Sequence, residues 1–140
     1  METAPRIVID SSVVVKWFSK ENDSQKALDL LNRFQASENT LCVSDLLFIE
    51  VTNVLRYKPT LNNSLFEIIS ILYDLNLESY PSTKQLLQSA SEMASEADVS
   101  IYDAIPVALA EQLDTYCITS DKKTQYNRLV EKKYPIKLLD

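Results

Sequence analysis

The sequence contains no histidine and no glycine. Without imidazole there is no Ser-His-Asp or Cys-His catalytic set, no histidine metal ligand and no ordinary near-neutral acid or base. Without glycine there are no Walker or Rossmann phosphate-binding turns, in which the backbone must approach phosphate closely. The only cysteines, Cys42 and Cys117, match no metal or redox spacing. Each sits in an apolar, strand-like run, Leu-Cys-Val or Tyr-Cys-Ile, and reads as a buried, reduced thiol. Apolar runs such as Val13-Val14-Val15 are too short to cross a bilayer. The opening Met-Glu-Thr-Ala-Pro-Arg lacks the basic segment, apolar stretch and cleavage site of a leader. A cytoplasmic protein with no membrane contact is therefore expected, with chemistry restricted to carboxylates, hydroxyls, amides, lysines and thiols.

The length of 140 residues suits a single domain spanning residues 1–140. A hydrophobic fraction of 46% and a charged fraction of 24% place it among ordinary globular chains. The net charge of −6 argues against holding nucleic acid by a broad basic surface. It does not argue against a metal-dependent nuclease, because bound cations reverse the field locally. Lys16, Lys20, Lys122 and Lys123 could form a limited basic rim, although solvated lysines at strand ends are the plainer reading.

Patterning alternates strands with helices. Arg6-Ile7-Val8-Ile9-Asp10 reads as a buried strand ending in an acid, followed by a helix that Ser11-Ser12 can cap and that carries Val14, Val15, Trp17 and Phe18. Asp23 or Ser24 can cap a second helix with Ala27, Leu28, Leu31 and Phe34. Leu41–Val43 is a short strand, and Ser44-Asp45 caps a third helix running to about Lys58, just before Pro59. Asn62 to about Asp74 has a helical apolar face, while Leu75 to Tyr80 alternates as a strand and stops at Pro81. Thr83 to Ala97 and Ile101 to Leu113 read as helices, Tyr116–Thr119 as a strand, Lys122–Lys133 as a last helix and Ile136–Leu139 as a last strand. This order implies an α/β fold with a mostly parallel sheet covered on both faces. Right-handed crossovers gather the strands' C-terminal ends along one edge, where open α/β sheets bind ligands.

Asp10 and Asp121 both follow strands and so fall at that edge, although a single Asp there is ordinarily a cap or turn residue. Glu50 is more informative. It lies four residues after Leu46, three after Leu47 and four before Val54, which puts a carboxylate on an apolar stripe. No lysine or arginine stands at i±3 or i±4. A metal, or a distant arginine such as Arg6 or Arg56, must neutralise it. Asn53, one turn on, can orient that carboxylate or touch a substrate. Asp103 opens an apolar helix whose cap is either Ser100, leaving Pro106 beyond the first turn, or Asp103 itself, which accommodates the proline. At an effective dielectric of about 20, two carboxylates roughly 4 Å apart repel by about 4 kcal/mol. Such a cluster needs a cation or protons, and oxygen-only ligands favour Mg²⁺ or Mn²⁺ over zinc.

Four stretches carry a resemblance: Ile-Val-Ile-Asp-Ser-Ser-Val-Val-Val-Lys-Trp-Phe, Val-Ser-Asp-Leu-Leu-Phe-Ile-Glu-Val-Thr-Asn-Val-Leu, Ile-Tyr-Asp-Ala-Ile-Pro-Val-Ala-Leu-Ala and Cys-Ile-Thr-Ser-Asp-Lys-Lys. In order and spacing the chain resembles the PIN-domain family, in its VapC-like toxin branch, over nearly its whole length. The resemblance implies a three-layer α/β/α sandwich with a mostly parallel sheet and cleavage of single-stranded RNA by a metal-activated water. It places the family's acidic positions on Asp10, Glu50, Asp103 and Asp121, as catalytic residues and ligands of Mg²⁺ or Mn²⁺. Glu50 would serve as a ligand or orient a metal-bound water. A ligand-orienting hydroxyl falls on Thr119, with Ser12 second. It further implies a homodimer and a small antitoxin that threads into the acidic groove. Some members carry another acid shortly after the fourth, where Gln125 and Tyr126 stand here, so one or two ions remain open. Pro106 is unusual within its motif. The strands of Cys42 and Cys117 would flank the first strand on opposite sides, which disfavours a disulfide.

A second reading is a catalytically silent module on the same scaffold, acting through protein or RNA binding; retention of all four acids argues against it. A phosphoacceptor receiver needs an acidic pair after its first strand, and haloacid-dehalogenase-type phosphatases need Asp-x-Asp. Ser11-Ser12 satisfy neither, and neither explains Glu50.

Overall fold

The structure is a computed structural model and describes residues 4–140. Five strands form one sheet: β1 (Arg6–Ile9), β2 (Thr40–Ser44), β3 (Glu78–Tyr80), β4 (Cys117–Thr119) and β5 (Ile136–Leu138). Their order is β3-β2-β1-β4-β5, and every pairing is parallel. The helices are α1 (Ser11–Phe18), α2 (Ser24–Gln35), α3 (Leu46–Arg56), α4 (Leu65–Asp74), α5 (Lys84–Ala97), α6 (Ile101–Gln112) and α7 (Asn127–Glu131).

Two cores, one on each face of the sheet, establish the three-layer sandwich. On one face Val8, Cys42, Cys117 and Ile136 pack with residues of α5, α6 and α7. On the other, Ile9, Leu41 and Val43 pack with residues of α1 to α4. A parallel strand buried on both sides must be apolar at successive positions, which is why β1 and β2 read as unbroken apolar runs. The chain builds β1, β2 and β3 outward in one direction, then returns past β1 to place β4 on its other side. That reversal opens a crevice at the C-terminal end of β1.

Cys42 and Cys117 are free and fully buried, on the strands to either side of β1. Burial pushes the Cys42 thiol up to about 12, with Glu78 beside it adding to the effect. Neither sulfur is placed for a disulfide, as the expected strand order requires.

Several expected boundaries are corrected. Ser11 and Ser12 lie inside α1, and Asp10 takes the N-cap position. Asp23 precedes α2 without a side-chain cap bond, because its carboxylate turns 2.7 Å from Lys16 Nζ. Asp45 likewise makes no cap bond; its carboxylate accepts from Ser82 Oγ at 2.7 Å, and α3 ends at Arg56 rather than about Lys58. The segment from Asn62 opens as a 3₁₀ turn to Ser64 before α4 begins. The strand expected from Leu75 keeps only Glu78–Tyr80, since Leu75 ends α4 and Asn76 has a φ of 58°. The last expected helix divides into a π turn, Lys122–Tyr126, and the short α7. Ser100 caps α6, its Oγ accepting from the Asp103 N–H at 3.1 Å, so Pro106 lies inside the helix.

With glycine absent, left-handed backbone falls to Ser37, Asn76, Asp98, Asp114 and Lys133 among the described residues. None of the described helices is long and apolar enough to cross a membrane.

Candidate active site

The crevice at the end of β1 collects side chains from the sheet edge and from both helical layers. Asp10 is the hub. It is only 7% exposed, and both its oxygens accept hydroxyl hydrogen bonds. Ser11 Oγ donates to Oδ1 at 3.3 Å; Ser12 Oγ and Thr119 Oγ1 donate to Oδ2 at 2.5 and 2.7 Å. Backbone bonds fix the surroundings. The Asp10 N–H donates to the Ile118 carbonyl at 3.1 Å, and the Ser120 N–H donates to Ser12 Oγ at 3.0 Å. The first turn of α1 is thereby stitched to the end of β4.

Asp121 enters the same cleft from the turn after β4. Its N–H donates to Thr119 Oγ1 at 3.1 Å, and its Oδ1 accepts from the Thr124 N–H at 3.3 Å. Asp103 comes from the first turn of α6, in the opposite helical layer from α3. Asp10, Asp103 and Asp121 line one cleft of about 340 Å³ together with Ser11, Ser12 and Ser120. Burial, then the neighbouring charges of Asp10 and Asp121, push the Asp103 carboxyl up to about 6.

Glu50 reaches the cluster from α3. It is half-buried, and among the described residues no ion pair reaches it. The arginine alternatives fail: Arg6 Nε pairs with Glu78 Oε2 at 2.8 Å, and Arg56 lies over the Tyr57 ring. Burial first, then Asp10 and Asp103, push the Glu50 carboxyl up to about 7. The apolar stripe assigned to Glu50 is only partly buried, since Leu47 is 3% exposed but Val54 is 41% exposed. Glu50 therefore stands at the edge of the core, facing the acids.

All four sequence-derived acids thus converge, and Thr119 is in contact with Asp10. Ser12, the second hydroxyl candidate, contacts it too. Asn53 is exposed and lines the flank of the site with Glu50. The plainer reading of the four lysines holds, and they form no broad basic rim. Lys16 lines the cleft, but its ammonium is held by Asp23 at 2.7 Å and Glu21 at 3.4 Å. Lys20, Lys122 and Lys123 are exposed and do not line it.

Gln125 was not singled out as a site residue by the sequence, and it proves central. It is 1% exposed. Its Oε1 lies 2.7 Å from Thr119 Oγ1, and its Nε2 donates to the Asp103 carbonyl at 3.0 Å. That carbonyl lies in α6 beside the Tyr102 carbonyl, for which Pro106 has no N–H to offer. The amide orientation follows from these partners, because the carbonyl needs a donor. Thr119 has a single proton for two acceptors, Asp10 Oδ2 and Gln125 Oε1, and serves one at a time. The available signal was Leu129, four residues on and fully buried, which puts position 125 on an inward face.

Among the described residues no three acid or thiol side chains form a ready-made metal cage. Glu50 and Asp103 are raised first by burial and then by the neighbouring carboxylates, so a cation among them would relieve part of that cost. The donor set is all oxygen and carries more negative charge than its surroundings balance. It fits a hard divalent cation.

A family profile for the PIN domain matches residues 7–130. A comparison with curated protein sequences returns no match. Among solved structures, DNA-bound VapBC from Salmonella typhimurium superposes with a TM-score of 0.73 at 11% identity, covering 97% of this chain and 99% of that one. VapC20 from Mycobacterium tuberculosis, described as a toxin that cleaves the sarcin–ricin loop, gives 0.69 at 13% identity, covering 86% and 94%. A toxin–antitoxin complex from Klebsiella pneumoniae gives 0.66 at 15% identity, covering 84% and 88%. At these identities the likeness is one of fold.

Proposed function

The chain belongs to the PIN domain family, and from that premise we propose that it is a Mg²⁺- or Mn²⁺-dependent ribonuclease acting on single-stranded RNA, the toxin of a toxin–antitoxin pair. The observation that carries this reading is the convergence of Asp10, Asp103 and Asp121 on one cleft, with Glu50 electrostatically coupled to two of them. A similar fold described as a sarcin–ricin-loop-cleaving toxin supports RNA as substrate, and one from a toxin–antitoxin complex supports an antitoxin as partner; the homodimer rests on the family resemblance alone.

Asp10, Glu50, Asp103 and Asp121 are the residues that would hold the ion. Its chemistry there is to lower the pKa of water and to offset charge developing on a phosphate. The protein's own part is positioning. Ser12 and Thr119 fix the rotamer of Asp10 through hydroxyl bonds, and the Asp121 N–H in turn fixes Thr119. Gln125 holds the Asp103 helix against the Thr119 strand end.

The test is a gel assay on defined single-stranded RNAs with Mg²⁺ or Mn²⁺, with and without chelator. Cleavage should require the cation and fall at least 100-fold in Asp10→Asn, in line with losses on removing a charge-stabilising group. Equal cleavage in chelator, or by the variant, rules the mechanism out. The silent-module alternative has no specific observation in its favour, since the acid cluster is complete.

A further inference from the structure

A second cleft, about 410 Å³, adjoins the acid cleft and is lined by Ser11, Ile49, Glu50, Asn53, Val54 and Tyr102. Ser11 and Val54 line both, so the two lie side by side. Three of its walls are apolar side chains left open to solvent: Ile49 is 68% exposed, Tyr102 60% and Val54 41%. Tyr102 sits in the first turn of α6, next to Asp103, and Asn53 offers an amide that both donates and accepts.

Charge narrows the choice of occupant. The acid cleft is lined by Asp10, Glu21, Asp103 and Asp121 against only Lys16 and Lys58, and Lys16 is already paired. The chain as a whole carries −6. Phosphate contacts to basic side chains therefore cannot supply much of the affinity for a polyanion. Stacking and amide hydrogen bonds can, because every base has a π-face and an unpaired base also exposes its edges.

We propose that this cleft is a subsite for one unpaired nucleobase flanking the scissile phosphate, stacked on Tyr102, bounded by Ile49 and Val54 and read at its edge by Asn53. The proposal rests on the ribonuclease reading and deepens it. It explains why apolar side chains border an acidic site, and it confines the substrate to single strands, since a paired and stacked base cannot enter.

The experiment measures both cleavage with Mn²⁺ and fluorescence-anisotropy binding of labelled RNA oligonucleotides. It compares wild type with Tyr102→Phe, Tyr102→Ala and Asn53→Ala. Loss of one base stack should weaken binding about 5- to 150-fold in Tyr102→Ala, with kcat little changed and Tyr102→Phe close to wild type. One abasic position beside the cleaved bond should reproduce the loss, and Tyr102→Ala should add nothing to it. Asn53→Ala should weaken binding of some bases more than others. The dependence of affinity on salt should correspond to about one or two phosphate contacts, at roughly 0.7 in log–log slope for each.

Unchanged binding in Tyr102→Ala overturns the subsite, as does a loss that no single abasic position mimics. A salt slope matching about six or more contacts also overturns it. If Tyr102→Ala instead dissociates a dimer in sedimentation while RNA affinity holds, the cleft is a protein interface and the proposal fails. Absence of any cleavage by wild type refutes the parent reading, whereas anisotropy still tests the subsite directly.

Discussion

Gln125 and Thr119 show how much of this site depends on neutral side chains. Strand ends and an acid on an apolar face pointed to Asp10, Asp121 and Glu50, but a lone Asp after a strand is ordinarily a cap, and the family resemblance joined them with Asp103 into one set. Gln125 was not legible, because it lies in the polar run Lys-Lys-Thr-Gln-Tyr-Asn-Arg, and a π turn there disturbs the helical period. Its two hydrogen bonds join the segment bearing Asp121 to the helix bearing Asp103. Gln125→Leu should lower Tm, since it removes two hydrogen bonds at a buried position, each contributing about 0.5–1.5 kcal/mol. A positioning role predicts more: Mn²⁺ affinity, measured by calorimetry below the transition, should weaken about 10- to 100-fold. Full Mn²⁺ affinity in a merely less stable variant would reduce Gln125 to packing.

At the scale of elements, the long periodic segments were read well and the short ones poorly. Strand β3 keeps three of its six expected residues, because its start is spent on ending α4 and turning through Asn76. It is secured instead by polar contacts. Glu78 Oε2 accepts from Arg6 Nε at 2.8 Å, from Cys42 Sγ at 3.2 Å and from the Tyr80 hydroxyl. The Arg6 and Tyr80 bonds hold the Glu78 carboxyl down at about 2, below its ordinary 4.5. A depressed folded-state value means stability that is complete above about pH 4.5 and lost as pH falls toward 2. Glu78→Gln should therefore lower Tm at neutral pH, by a modest amount because the pair is largely exposed. The difference from wild type should shrink to nothing near pH 2. A pH-independent difference in thermal melts would contradict the assignment. The placement of Pro106 inside α6 was undecidable from sequence, because Ser100 and Asp103 are equally good caps; only the Ser100 bond resolves it.

Over the whole molecule, α/β alternation and the run of apolar strands implied a parallel sheet covered on both faces, and the resemblance placed β2 and β4 on opposite sides of β1, as they are; the edge positions of β3 and β5 were not legible. The acids come from every layer: Asp10 and Asp121 from the sheet edge, Glu50 from α3 on one face, Asp103 from α6 on the other. A cation bound among them would tie the layers together and stabilise only the folded state. At a hundredfold excess over Kd the gain is about 2.7 kcal/mol. Differential scanning calorimetry at fixed ionic strength should show a rise in Tm of several degrees with Mn²⁺ for wild type and little for Asp10→Asn. Identical shifts in both proteins would place the ion elsewhere.

The left-handed turns made without glycine bear on robustness to mutation. At Ser37 and Lys133 a β-carbon is held where it crowds the carbonyl, at about 1–2 kcal/mol each; at Asn76, Asp98 and Asp114 a short polar side chain eases the crowding. Set against a net stability of about 5–15 kcal/mol for a typical domain, this standing strain narrows the margin. Fewer random substitutions can accumulate in such a chain before its folded population begins to decline.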